Sequence, residues 1–210
     1  MELAVWFISD LHVGHRFVAH LRGFAPKDGP ESVFADGVAK HDQTLADNWD
    51  AVVKPDDDVW VLGDISGGGS GSQKRALEWL KERPGRKHLI AGNHDGVHPM
   101  YRDSGKWQKL YLEVFDTVQP FARRRIAGES VLLSHFPYFG DGEGSRDTPE
   151  RYSQYRLPDM GEWLIHGHVH DPIRLRGKSI HVGVDAWNLA PVHLDEIVKL
   201  IESQELSQSA

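Results

Sequence analysis

Cysteine is absent from the chain, and this absence excludes both disulfide bonds and thiolate metal ligands. A chain without cysteine suits a reducing compartment. The N-terminus has neither the basic segment nor the cleavage site of a signal peptide. We therefore expect a cytoplasmic protein without covalent crosslinks.

Long apolar runs are also missing. No apolar segment approaches the roughly 20 residues that cross a bilayer. The first apolar run, Leu3 to Ile8, is much shorter and leads directly into Asp10 and His12. We interpret this run as the first core strand, and we expect no membrane partner.

Basic residues are in deficit, because the net charge is −7. Broad, non-specific binding to duplex nucleic acid needs a basic face, so such a partner is not expected. An acidic chain does suit a site that collects divalent cations. Histidine is abundant, with 13 residues, and the positions of these histidines need an explanation.

The 210 residues are enough for one domain with a sizeable core, and the chain contains neither a repeat nor a linker. We predict a single α/β domain over residues 1–202 and a frayed polar tail over 203–210. Apolar runs predict buried strands at residues 3–9, 59–62, 87–91, 131–133, 163–165 and 179–184. Apolar spacing predicts helices over 38–52, 73–82 and 194–201, and a helical cover between 98 and 112.

The segments between these elements carry their own predictions. Glycine and proline predict loops over 22–37 and 67–72. Residues 114–126 are interpreted as a strand or hairpin whose arginines lie on an exposed edge. The acidic cluster at 56–58 is interpreted as a solvated turn. Residues 139–160 contain few apolar side chains and predict a surface loop that could act as a lid.

Polar side chains follow five of the predicted strands. In an α/β protein, residues just beyond the carboxyl ends of strands line the binding crevice. Alternating residues such as Asp10 and His12 can point the same way from an extended backbone. The candidate metal ligands at these strand ends are Asp10, His12, Asp64, Asn93, His135, His168 and His170.

These seven side chains indicate a dinuclear metal site. A mixture of carboxylate, imidazole and amide suits Mn²⁺, Fe or Zn²⁺ better than Ca²⁺ or Mg²⁺, which prefer oxygen ligands. Seven ligands are too many for one transition ion. They suit two ions about 3.5–4 Å apart that share a bridging carboxylate, an arrangement used in phosphoester hydrolysis.

The motifs resemble those of the calcineurin-like metallophosphoesterases. That family has Asp-x-His, Gly-Asp, Gly-Asn-His-Asp/Glu, a lone His and Gly-His-x-His, and all five blocks occur here in order between residues 10 and 170. The sequence around Asp10, Asn48-Trp49 and residues 183–188 further resembles the small single-domain bacterial and phage branch. In that branch the match covers nearly the whole chain.

The resemblance implies a four-layer αββα sandwich of two mixed β-sheets flanked by helices. It also implies that a hydroxide held between two metal ions attacks the phosphorus. We expect these ions to be Mn²⁺. His94 would protonate the leaving alkoxide, and Asp95 would orient His94. His15 and Arg16, next to the first motif, are candidates for contact with the substrate phosphate. In the first metal site the ligands would be Asp10, His12 and His170, in the second Asn93, His135 and His168, with Asp64 as the bridge.

The resemblance favours hydrolysis of small nucleotide-like phosphodiesters, possibly 2′,3′-cyclic nucleotides, over monoesters. Gly63-Asp64 lacks the Asp-Arg continuation of the protein phosphatases, which argues against that activity. The chain is also too short and acidic for the double-strand-break nucleases.

Several alternatives remain open at this point. They are a phosphomonoesterase, a metal-stabilised binding module, and a single-strand nuclease in which Trp107, Tyr152 and Tyr155 stack bases. The intact His94-Asp95 pair counts against the binding module.

Overall fold

Two five-stranded sheets form the centre of the protein, and helices flank them. The computed structural model describes residues 3–140 and 151–208. The strands of the described part are β1 (Val5–Ile8), β2 (Asp58–Val61), β3 (Arg86–Ile90), β4 (Thr117–Gln119), β5 (Phe121–Ile126), β6 (Glu129–Ser134), β7 (Trp163–His166), β8 (Leu175–Arg176), β9 (Ser179–His181) and β10 (Val192–His193). The α-helices there are α1 (Arg16–Leu21), α2 (Glu31–Val52), α3 (Ser70–Lys81), α4 (Gln108–Tyr111) and α5 (Leu194–Gln208).

Both sheets are mixed, which confirms the predicted fold class. The first has the order β10-β1-β2-β3-β4, with β1 to β4 parallel and β10 antiparallel to β1. The second has the order β5-β6-β7-β9-β8, in which β6, β7 and β9 are parallel and both edge strands are antiparallel. The parallel strands carry their carboxyl ends to one edge of each sheet.

Successive residues of β1 enter two different cores, because side chains alternate across a strand. Phe7 packs in the cluster that contains Leu133 and Trp163 of the second sheet, so this cluster lies between the sheets. Ile8 packs in the cluster that contains Leu45 of α2 and Leu77 of α3. The apolar run predicted as a doubly buried strand therefore joins both cores.

Residues 114–126 do not form one strand or hairpin. The segment contributes β4 to the first sheet and β5 to the second, and Pro120 lies between them. Proline cannot donate a ladder hydrogen bond, which suits the point where the chain changes sheets. The exposed-edge prediction is correct, since β5 is an edge strand on which Arg123 and Arg125 are exposed.

Other boundaries also differ from prediction. The predicted loop over 22–37 already contains the start of α2 at Glu31, and α3 begins inside the predicted 67–72 loop. The closing helix α5 continues to Gln208, past the predicted boundary at 202. The predicted lid over 139–160 lies partly outside the described residues, and the extent of the single domain stays a prediction. Over residues 3–140 and 151–208, none of the helices combines the length and apolarity needed to cross a membrane.

Asp57 is not part of a solvated turn. It is 4% exposed. Its carboxylate accepts hydrogen bonds from the backbone N–H of Ala4 at 3.1 Å, Trp6 Nε1 at 3.1 Å and the backbone N–H of Lys54 at 2.9 Å. This carboxylate therefore ties the segment before β2 to β1.

Candidate metal centre

The loops after β1, β2, β3, β6 and β7 bring the seven predicted ligands to the edge where the two sheets meet. Five of these residues have positive φ, an uncommon conformation for residues other than glycine. The values are 60° at Asp10, 48° at His12, 55° at Asp64, 76° at His168 and 49° at His170. The expected extended backbone is therefore wrong for Asp10 and His12, although their side chains do converge. They converge because the chain turns sharply at each strand end.

One group of donor atoms comes from Asp10, His12 and His170, whose ligand atoms lie within 4.8 Å of one another. His12 Nε2 and His170 Nε2 are 3.2 Å apart. His170 Nε2 is 3.9 Å from Asp10 Oδ1. Two imidazole nitrogens and a carboxylate oxygen facing one point form a suitable site for a transition-metal ion.

A second group comes from Asp64, His135 and His168, again within 4.8 Å. His135 Nε2 lies 3.5 Å from Asp64 Oδ2 and 3.0 Å from the amide oxygen of Asn93. His168 Nε2 is buried and has no hydrogen-bond partner among the described residues. A buried nitrogen without a partner is unfavourable unless something binds it, and a metal ion fits this position.

Asp64 connects the two groups. Its Oδ2 is 3.8 Å from His12 Nε2 of the first group and 3.5 Å from His135 Nε2 of the second. Its Oδ1 accepts a hydrogen bond from the backbone N–H of His94 at 2.8 Å. The Asp64 carboxylate thus lies between the two donor groups, and the donors around it fit divalent metal ions.

Hydrogen bonds behind the ligands fix the imidazoles. His135 Nδ1 donates to the carbonyl of Leu62 at 2.7 Å, and His170 Nδ1 donates to Asp185 Oδ2 at 2.9 Å. Because Nδ1 donates in both rings, Nε2 is the nitrogen that faces the centre and that can bind a metal ion once its proton has left. These outer partners fix the orientation of both imidazoles.

Burial and charge set the protonation of the histidines. Burial lowers the pKa of His168 to about 2 and brings the pKa of His12 well below its ordinary value. Burial also acts to lower the pKa of His135, but the adjacent Asp64 carboxylate outweighs it and raises that pKa to about 9. The buried Asp64 carboxylate therefore favours a positive charge beside it, which a metal ion supplies.

The two residues predicted to be catalytic, His94 and Asp95, do not have the expected arrangement. The Asp95 carboxylate accepts hydrogen bonds from the backbone N–H groups of Gly92, Asp64 and Ile65 at 2.8, 2.9 and 3.2 Å. It is fully buried, and the prediction that it orients the His94 imidazole is wrong. Burial, with the nearby Asp64 charge, raises the pKa of Asp95. Asp95 instead fixes the loop that presents Asp64.

His94 lies at the solvent side of the centre. Its side chain is 42% exposed, and Nε2 is 4.0 Å from Asp64 Oδ2. Together with His12, His15 and His170 it lines a cleft of about 330 Å³. A phosphoester in this cleft would lie beside His94.

The two predicted substrate contacts have different surroundings. His15 lines the cleft, and its Nδ1 accepts the backbone N–H of Val18 at 3.2 Å. Arg16 lines an adjoining cavity instead and pairs with Glu31 at 3.0 Å. Substrate contact by either residue stays a prediction.

The aromatic residues considered for base stacking have packing contacts. Trp107 packs against the core between the first sheet and the helices. Tyr152 packs on Phe136 and His168, with ring centroids 5.1 and 5.6 Å apart. Tyr155 contacts His98 at 5.4 Å. These contacts give no support to the single-strand nuclease.

Sequence reasoning missed Arg22 and Asp185. The buried Arg22 guanidinium donates to both Asp185 oxygens at 2.8 Å, and to the carbonyls of Asp10 at 2.8 Å and Leu11 at 3.2 Å. Asp185 follows the last strand of the second sheet and could have been found as a further strand-end aspartate. Arg22 has no comparable sequence signal.

Comparisons with known proteins agree with this geometry. The calcineurin-like phosphoesterase family model matches residues 3–195, and the chain belongs to this family. The chain is 47% identical over 207 residues to the Gene 66 protein of Mycobacterium phage L5, covering 93% of each chain. An uncharacterized protein of Methanocaldococcus jannaschii is 31% identical, over 94% of this chain and 91% of its own length.

A solved structure extends the comparison. The crystal structure of a protein of unknown function from Aquifex aeolicus has 26% identity and a TM-score of 0.64. It covers 95% of this chain and 100% of that chain.

Proposed function

We propose that this family member is a metal-dependent phosphodiesterase that hydrolyses small nucleotide-like substrates, 2′,3′-cyclic nucleotides among them. One observation carries the proposal. Two groups of metal-binding side chains meet at the Asp64 carboxylate, directly beside the half-exposed imidazole of His94. A site that only stabilised the fold would have no use for a solvent-facing acid at its edge.

The proposed ligands divide between two ions, with Mn²⁺ as our first choice and Fe or Zn²⁺ as alternatives. Divalent ions supply Lewis-acid activation of water and charge stabilisation at the phosphoryl oxygens. The protein side chains hold and orient the reactants around them. The first ion would have Asp10, His12 and His170 as ligands, the second Asn93, His135 and His168, and Asp64 would be shared.

We assign His94 the role of general acid. Its backbone N–H is fixed on Asp64 at 2.8 Å, while its ring borders the cleft. The imidazolium would donate its proton to the alkoxide that leaves phosphorus. Proton transfer by a positioned side chain typically contributes about 10²- to 10⁴-fold to a rate.

The test compares leaving groups. Metal-stripped protein with and without Mn²⁺ is assayed on bis-p-nitrophenyl phosphate, p-nitrophenyl phosphate and 2′,3′-cyclic AMP. We expect Mn²⁺-dependent turnover that favours the diesters. His94→Gln should lose about 10²-fold or more on the cyclic nucleotide, whose alkoxide needs a proton, and much less on the nitrophenyl esters.

Two controls make this result specific. Manganese binding, measured by calorimetry, should be the same for His94→Gln and wild type. His193→Gln changes a half-buried histidine on β10 that lies outside the cleft, and it should retain turnover. Full activity of His94→Gln on 2′,3′-cyclic AMP would disprove the acid role. A protein that binds two Mn²⁺ but hydrolyses none of the three esters would disprove the proposed activity.

A further inference from the structure

Phe17 is a large apolar side chain exposed at the edge of the candidate metal centre. It is 60% exposed and lines the cleft together with His12, His94 and His170. It belongs to α1, whose buried residues are Val18 and Ala19, so Phe17 is not needed for the core. A single exposed phenylalanine is common on protein surfaces, so its meaning depends on its surroundings.

Those surroundings include a second, larger cavity of about 600 Å³. His15 and Phe17 line both this cavity and the metal-centre cleft, so the two spaces meet at these side chains. Small-molecule sites have volumes of about 300–1,000 Å³, and their apolar walls carry a few polar groups. Here Pro26 and Phe17 supply apolar surface, and Lys27 and Ser72 supply polar atoms.

Phe17 offers its ring to a ligand, whereas the other phenylalanine of the cavity does not. Phe34 is 2% exposed, and the Arg16 guanidinium lies 3.2 Å from its ring centroid. The Arg16 charge is paired with Glu31 at 3.0 Å. The face of Phe34 is therefore already covered by Arg16, and Phe17 is the more exposed phenylalanine ring of this cavity.

His15 fixes the boundary between the two spaces. Its Nδ1 accepts the backbone N–H of Val18, so Nε2 carries the hydrogen in the neutral ring. Its ring lies so close to Gly67 that an added Cβ there would be 1.7 Å from His15 Cδ2. A ligand that extends from the cleft past this fixed ring reaches Phe17.

We propose that Phe17 and the cavity beside it bind the nucleoside part of the substrate, with the base stacked on the Phe17 ring. This inference rests on the proposed function and adds the residue that selects nucleosides. Base–aromatic stacking is tolerant of base identity, because every base has a π-face. The polar atoms of Lys27 and Ser72 favour a nucleoside over an acyl chain.

The test uses two ligands that ester hydrolysis cannot destroy. Binding of 5′-deoxyadenosine 5′-phosphonate and of methylphosphonate to the Mn²⁺-loaded protein is measured by calorimetry. The adenosine phosphonate should bind about five- to hundredfold more tightly than methylphosphonate. Phe17→Leu should remove most of this preference, and Phe17→Trp should keep it.

Phe121→Leu is the matched control, because Phe121 is 55% exposed but lines a different cavity. It should keep the wild-type preference. An unchanged preference in Phe17→Leu would overturn the inference. If methylphosphonate binds and the nucleoside adds nothing, the assignment of the cavity fails while the proposed function stands. If neither phosphonate binds and no ester is hydrolysed, both fail.

Discussion

Replacing Asp185 by asparagine tests whether the buried Arg22–Asp185 pair holds His170 in place. The carboxylate accepts two hydrogen bonds from Arg22 at 2.8 Å and one from His170 Nδ1 at 2.9 Å. Asparagine has nearly the same shape but only one acceptor oxygen. Because Oδ1 accepts from Arg22 alone and Oδ2 accepts from both Arg22 and His170, the NH₂ group must face an Arg22 N–H in either orientation, and in one orientation it also faces the His170 Nδ1–H.

The expected losses follow from these contacts. Hydrogen bonds to charged groups contribute about 1.5–3 kcal/mol each. The Arg22 side chain is 5% exposed and that of Asp185 is 18% exposed, so little water can replace the lost hydrogen bonds. We expect Asp185→Asn to lower the free energy of unfolding by about 3 kcal/mol. The loss of such an outer partner typically weakens metal binding about 10- to 100-fold.

The two effects are measured separately. Urea unfolding of the metal-free protein gives the stability, and calorimetric titration with Mn²⁺ gives the affinity. Asp58→Asn is the matched control, because Asp58 pairs with Arg86 at 2.9 Å at the far end of β2. It should leave metal affinity unchanged. If Asp185→Asn were destabilised but bound Mn²⁺ as tightly as wild type, the reasoning about His170 would be refuted.

Two further substitutions test other contacts. Gly67→Ala should push the His15 ring out of place and raise the KM for nucleotide substrates. Gly71→Ala is the control, because its Cβ would meet only Arg75 at 3.5 Å, and it should leave this KM unchanged. Equal KM values for the two variants would contradict the packing of His15 on Gly67. Asp57→Ala should lower the free energy of unfolding by about 2 kcal/mol at pH 7, because three donors lose their acceptor. Burial acts to raise the pKa of Asp57, but these hydrogen bonds outweigh it and lower that pKa. The contribution of Asp57 to folding stability is therefore present above the pKa of the unfolded state and is lost as the pH falls through the pKa of the folded state. The stability gap between wild type and Asp57→Ala should therefore narrow from pH 7 to pH 3, and a constant gap would refute this origin.

The sequence was sufficient for the elements whose signal is local. Short apolar runs such as those of β1 and β7 predicted buried strands, because a strand covered on both faces needs apolar residues throughout. Polar residues at strand ends predicted that chemistry would collect at one edge. The structure brings all seven predicted ligands to that edge.

The sequence was insufficient where a residue's role depends on distant partners. The family resemblance implied that Asp95 orients His94, its neighbour in the sequence. Its carboxylate instead bonds to N–H groups that include those of Asp64 and Ile65, about thirty positions earlier. Asp57 likewise bonds across to β1, and Arg22 reaches Asp185. Such pairings arise only when the sheet order brings the segments together, and no local pattern records them.

The left-handed backbone at the ligands explains why these distant contacts matter for function. A non-glycine residue in this conformation costs on the order of 1 kcal/mol or more, and persists only where its surroundings enforce it. Asp10 donates its N–H to Gly63 at 3.1 Å, and its carbonyl accepts from Arg22 at 2.8 Å. The N–H of Asp64 is held by Asp95 at 2.9 Å. Because protein groups hold the backbone of both aspartates from behind, the strain is offset within the fold, and the donor atoms of the two clusters are positioned by the protein itself.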